Sequence, residues 1–173
     1  QMLRLFFIYF LCRTQVNYLK ANGFSTTSIG FLWSVGVVAE IIMFAYATFF
    51  LKKFSWRVLV SICLLMTGLR FIIAGSFPNS FSAQFLSQTM HAFSFGLFHM
   101  IAMRIIFQNF TAGQQGRGQA LYSTMWGLGV ASGSLLAGHY WQSLGGEMIF
   151  ILAGCSIIFG LFLVKVLPSK IQV

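Results

Sequence analysis

The sequence predicts an all-α integral membrane protein built as a single bundle, 1–173, of six transmembrane helices. Three observations carry that expectation. Apolar residues make up 58% of the chain and charged residues only 8%, against about 25% charged in soluble domains. The apolar residues gather in six runs, about 2–19, 29–51, 58–77, 82–107, 120–141 and 148–167. Most of these have roughly the 20 residues that a helix rising about 1.5 Å per residue needs to cross a bilayer core. Gly, Pro or basic residues punctuate the runs, and no soluble fold of this size could bury so much apolar surface.

The first run carries Arg4 and Arg13 and stops at Lys20-Ala21-Asn22-Gly23, a helix end with Gly last. It is too long, and too charged in its second half, for a signal peptide. The second has Ser25, Thr26, Thr27 or Ser28 as its N-cap and closes on Lys52, Lys53 and Arg57. The third carries Arg70 and ends at Pro78-Asn79-Ser80. His91, His99 and Arg104 fall in the fourth, with Arg104 placed to snorkel from near its end. A polar, Gly-rich connection, Thr111 to Arg117, precedes the Gly- and Ser-rich fifth run. The sixth follows Gly145-Gly146-Glu147 and ends at Pro168. The chain starts at Gln1 and enters an apolar run at once, which reads as a piece of something longer.

A net charge of +9 suggests nucleic acid only if Lys and Arg share a hydrated face. Here they stand singly at or within apolar runs, so no nucleic-acid partner is expected. Cys12, Cys63 and Cys155 lie far apart inside apolar runs. They read as small buried hydrophobes, with neither disulfide nor metal site. There are no paired carboxylates, His-rich metal spacing or Ser/His/Asp set, which argues against an enzyme and leaves no catalytic residue and no cofactor to propose.

Basic residues in short loops mark the cytoplasmic side. Lys52, Lys53 and Arg57 follow the second run, Arg117 the fourth, and Lys165 and Lys170 lie at the tail; the loops after the third and fifth hold no Lys or Arg. Both termini are therefore expected to be cytoplasmic, and the basic cluster is explained by topology.

Glu40 and Glu147 are the only acidic residues, and Glu40 sits near the middle of the second run. A carboxylate at that depth must be protonated, paired or facing water. Glu40 lies thirteen residues from Lys53, and Arg70 thirteen from Arg57, so both are roughly 20 Å from the same boundary. His91 falls near that level, with His99 about two turns closer to the cytoplasm. Glu40 with Arg70 as partner and His91 as neighbour is either a structural ion pair or a site that couples protonation to solute binding. Arg13 either contacts an anionic substrate or belongs to an irregular first segment. In the fifth run, Gly129 and Gly133 form a GxxxG that lets helix backbones approach closely. The GQQGRGQ before it follows no strand and is no phosphate loop. Trp33, Trp126 and Trp141 either line a cavity or anchor interfaces.

Four stretches together carry a family resemblance: GFSTTSIGFLWSVGVVAEIIMF from Gly23, LR at 69–70, SQTMHAFSFGLFHM at 87–100 and GRGQALYSTMWGLGVASGSLLAGHYW at 116–141. In this order they resemble the C-terminal half of major facilitator superfamily transporters, in particular the phenylpropionic acid transporter type related to lactose permease and nucleoside:proton symporters. The resemblance implies that the six runs correspond to helices seven to twelve of a twelve-helix carrier in a bacterial inner membrane. It implies that Glu40, Arg70, His91 and His99 occupy positions used for proton coupling and substrate recognition. No second carboxylate follows the histidines, so proton binding falls on Glu40 alone or works differently. The expected partners are the lipid bilayer, a proton, a small organic solute, and the missing N-terminal six-helix half or a second copy. The alternative is a truncated half-transporter or assembly module that moves nothing alone.

Overall fold

The computed structural model describes residues 15–166, which are helical throughout apart from short turns. Most of the first expected run, with Arg4, Cys12 and Arg13, lies outside the described residues, as do Pro168 and Lys170. Helix α1 covers 15–21 within the described part. It is followed by α2 (Thr26–Lys53), α3 (Trp56–Ser76), α4 (Phe81–Thr89), a π-helical segment (Ala92–Leu97), α5 (Phe98–Asn109), a 3₁₀ turn (Ala112–Gln114), α6 (Gln115–Phe159) and α7 (Leu161–Val166).

The helix ends follow from local chemistry. Ser25 caps α2, its hydroxyl accepting from the Ser28 amide at 3.1 Å, so one of the four orphan N–H groups is satisfied. Two residues, Phe54 and Ser55, then turn the chain into α3. Arg104 reaches across from α5 and donates to the Leu51 carbonyl at 2.9 Å, filling one of the acceptors that the last turn of α2 leaves open. Leu51 stands beside Lys52 and Lys53 at the end of α2, so Arg104 reaches toward that end of the bundle and has a backbone partner there. After α3 the Phe77–Ser80 turn leads to α4, with Ser80 as N-cap.

Four stretches are long and apolar enough to cross a membrane: Thr26–Lys53, Trp56–Ser76, Phe81–Asn109 and Ala112–Phe159. The last has 48 residues, about twice what one crossing needs. It breaks at Gly145, whose φ of 73° and ψ of 159° lie outside helical space in a region open to glycine. The expected loop between the fifth and sixth runs is thus a one-residue kink, and the sixth run is interrupted again at Gly160, between α6 and α7.

Helix α3 is the centre of the packing. Leu59, Cys63, Leu64, Phe71 and Ala74 are buried against Phe150, Ala153 and Ile157 of the second part of α6. Two glycines set how close these helices come. A Cβ on Gly154 would stand 2.6 Å from the Gly68 carbonyl oxygen, and one on Gly68 would stand 2.9 Å from that of Gly154. This seam was not expected; Gly129 and Gly133 are themselves buried on α6. Outward faces are apolar, with Ile41 at 61% and Leu135 at 75% exposure, the reverse of a helix packed in water. Cys63 is buried as expected, but Cys155 is exposed, because its side of α6 faces away from α3.

Candidate functional site

Glu40 from α2, Arg70 from α3 and His91, just ahead of the π-helical segment, come together in the interior. The Glu40 Oε1 lies 2.7 Å from His91 Nε2. On the other side of the ring, Arg70 Nη1 contacts His91 Nδ1 and donates to Ser94 Oγ at 2.9 Å. Ser94 in turn donates to the His91 carbonyl at 3.0 Å. Arg70 is wholly buried, and its guanidinium lies over Phe71, 5.1 Å from the ring centre.

The order of these groups determines the histidine's tautomer. A guanidinium can only donate, so Nδ1 beside it must accept, and the ring proton sits on Nε2. That N–H points at the carboxylate over a distance typical of charge-assisted hydrogen bonds. His91 therefore bridges a fixed cation and a carboxylate while itself neutral. His91, expected only as a neighbour of Glu40 and Arg70, touches both of them. Depth along the helices was readable from residue counts; which ring lay between the charges was not.

His99 is not part of this cluster but is connected to it. The rings of His91, Phe95 and His99 stack at centroid spacings of 5.9 Å each, with interplanar angles of 22° and 6°. In a straight α-helix residues four apart drift around the axis; the wider turns of Ala92–Leu97 offset that drift and keep the three in file. From α6, Trp126 meets Phe95 edge-on at 5.8 Å, and Tyr122 hydroxyl lies 3.3 Å from His99 Nδ1. The row is half-buried. Tyr122 was not singled out from the sequence, although its spacing of four from Trp126 puts both on one helix face. Of the other tryptophans, Trp141 packs edge-on against Tyr18 at 6.5 Å, and Trp33 is exposed. Among the described residues no group of three or more His, Cys, Asp or Glu side chains is arranged to hold a metal ion.

The site sets a carboxylate, an imidazole and a guanidinium from three parts of the bundle in one chain. The aromatic row beside it offers flat faces and two polar atoms, on His99 and Tyr122.

Comparison with known proteins identifies the family. The model of the MFS_1 like family matches residues 2–152. The chain is 32% identical over 157 residues to the "Probable 3-phenylpropionic acid transporter" of Escherichia coli (strain K12), a match that takes in 88% of this chain and 40% of the relative. The chain thus spans about two fifths of that relative's length. No solved structure matches. With a family model covering most of its length, the chain belongs to the MFS_1 like family of major facilitator superfamily transporters and is an integral membrane protein of the type that includes this relative.

Proposed function

We propose that the chain is the C-terminal six-helix half of a proton-coupled symporter for a small organic solute, placed in a bacterial inner membrane with both termini cytoplasmic. The observation that carries the proposal is His91 set between Glu40 at 2.7 Å and the buried Arg70. Intramembrane charges are costly and mark ion or substrate pathways. In this array the carboxylate is the group that can change charge, since Arg70 stays protonated and holds the near nitrogen of His91 unprotonated.

The coupling follows from the tautomer. With Glu40 ionised, the His91 N–H is held by a charged acceptor and the ring is fixed. A proton on Glu40 removes that charge and weakens the bond, so the array carries one more net positive charge. An anionic solute bound nearby restores the balance, so proton and anion favour each other's binding. The row His91–Phe95–His99 with Trp126 and Tyr122 suits an aromatic ring, in keeping with the name of the relative, and His99 and Tyr122 suit its polar end. The other wall of the cavity would come from a six-helix N-terminal half. Gly129 and Gly133 are proposed as a close-packing face on α6 that lets helices slide as the two halves rock.

The test is uptake of radiolabelled 3-phenylpropionate by the full-length protein in vesicles, with and without an imposed proton gradient. Gradient-dependent accumulation that Glu40→Gln removes is the expected result. Uptake that ignores the gradient would contradict the proposal.

A further inference from the structure

Helix α4 is built inside out. Phe81, Phe85 and Leu86 are exposed, while Gln84, Ser87 and Gln88 are buried. The buried polar positions recur at the i, i+3, i+4, i+7 spacing that shares one helix face, and the seventh step is His91. An uncharged polar stripe therefore runs from the Phe77–Ser80 turn to the Glu40–His91 pair.

Part of that stripe has no hydrogen-bond partner among the described residues. Gln84 donates through Nε2 to the Ala74 and Phe77 carbonyls, each at 3.1 Å, and its Oε1 is unpaired. Ser87 Oγ is unpaired too, and both residues are 0% exposed. Gln15 of α1 adds an unpaired, buried Nε2, one turn from Tyr18, whose hydroxyl donates to the same Ala74 carbonyl at 3.2 Å. Nearer the site, α2 carries glycine where Gln88 and His91 pack close to its backbone. A Cβ at Gly36 would stand 3.1 Å from Gln88 Oε1 and 3.7 Å from His91 Cδ2. The amide and the imidazole thus both lie against the α2 backbone at Gly36, which continues the polar stripe to the site.

Unpaired buried polar atoms are costly, and in folded proteins ordered water usually satisfies them. We infer that Gln84, Ser87 and Gln88 line a narrow water track that joins the Glu40–His91 pair to the end of the bundle opposite Lys52 and Lys53, and that a proton reaches Glu40 along it. The charged and titratable groups facing the inner end are Glu40 from α2, Arg70 from α3 and His91 itself. The inference rests on the coupling role proposed for Glu40, and its test separates the two.

Two measurements on the full-length protein decide it. In a cysteine-free background, Ser87→Cys is treated with 2-aminoethyl methanethiosulfonate and compared with a protein keeping Cys63 alone, which lies in the apolar core of α3. Reaction needs a hydrated thiolate, so Cys at 87 is expected to react at least about tenfold faster. Separately, Ser87→Val, which dries the track, is expected to lower gradient-driven uptake of 3-phenylpropionate about tenfold or more. Counterflow exchange, which needs no net proton release, should stay within about twofold and shows that the variant is folded. A Cys at 87 no faster than Cys63 overturns the inference, as does unchanged gradient-driven uptake in Ser87→Val. Glu40→Gln run alongside separates the failures: if it keeps gradient-driven uptake, the coupling role and the track's proton role fall together. If it loses uptake while Ser87→Val does not, the track alone is wrong.

Discussion

His91 stands between Glu40 and Arg70, with its Nε2 at 2.7 Å from the carboxylate and its Nδ1 held by the guanidinium. A neutral ring thereby carries the interaction between two opposite charges on different helices, α2 and α3. Removing the ring does more than delete a hydrogen bond, because it leaves a wholly buried cation without its imidazole acceptor.

His91→Ala is expected to destabilise the folded protein by about 1–3 kcal/mol, the usual cost of leaving a buried polar group without its hydrogen-bond partner. Arg70→Met alone leaves the carboxylate behind and should cost a similar amount. The double variant Arg70→Met with Glu40→Gln removes both charges and should recover much of the loss. Fluorescence-detected size exclusion after heating the detergent-solubilised protein measures all three, and a double variant no better than the singles would count against a coupled network.

The aromatic row makes a separate prediction for solute binding. Tyr122→Phe removes the hydroxyl 3.3 Å from His99 Nδ1 and should weaken binding of a carboxylate-bearing solute by about 1 kcal/mol, several-fold in KM. Trp126→Ala, which takes away the edge-on partner of Phe95, should cost about 0.5–1.5 kcal/mol for aromatic solutes and little for aliphatic ones. Competition assays with paired aromatic and aliphatic acids show whether the loss follows the ring.

Gly154→Ala places a Cβ 2.6 Å from the Gly68 carbonyl oxygen and also 2.6 Å from Ile72 Cγ1. Backbone cannot move aside as a side-chain tip can, so a loss of about 1–3 kcal/mol is expected. A melting temperature equal to that of the unaltered protein would show that α3 and α6 separate easily.

Loop charge supports an orientation that chemical labelling can check. A cysteine at Lys53, in an otherwise cysteine-free protein, should react with an impermeant maleimide only after the cell membrane is opened. Labelling in intact cells would reverse the proposed topology.

Much of the bundle was legible from the chain because membrane helices announce themselves by length and hydropathy. The caps at Ser25 and the stop at Gly23 follow from local chemistry alone. So did the common depth of Glu40, Arg70 and His91, since rise per residue is constant. Three features escaped for a shared reason: they depend on what another helix presents. Arg104 stood near a helix end, but the open Leu51 carbonyl that it reaches belongs to another helix. Gly68 and Gly154 are eighty-six residues apart and touch only after folding. Gln84, Ser87 and Gln88 carry no charge and so drew no attention among the aromatics, although their spacing already placed them on the His91 face. The break at Gly145 was visible as a glycine pair, but its sharpness was not, because glycine permits both a loop and a one-residue kink.

The central claim is that Glu40 carries the proton, and Glu40→Gln tests it most directly. The substitution keeps the shape and an acceptor for the His91 N–H while removing the titratable group. In the full-length protein, gradient-driven uptake of 3-phenylpropionate should fall at least about a hundredfold, while counterflow exchange persists, as expected when binding survives but net proton release does not. Gradient-driven uptake unchanged in Glu40→Gln would contradict it.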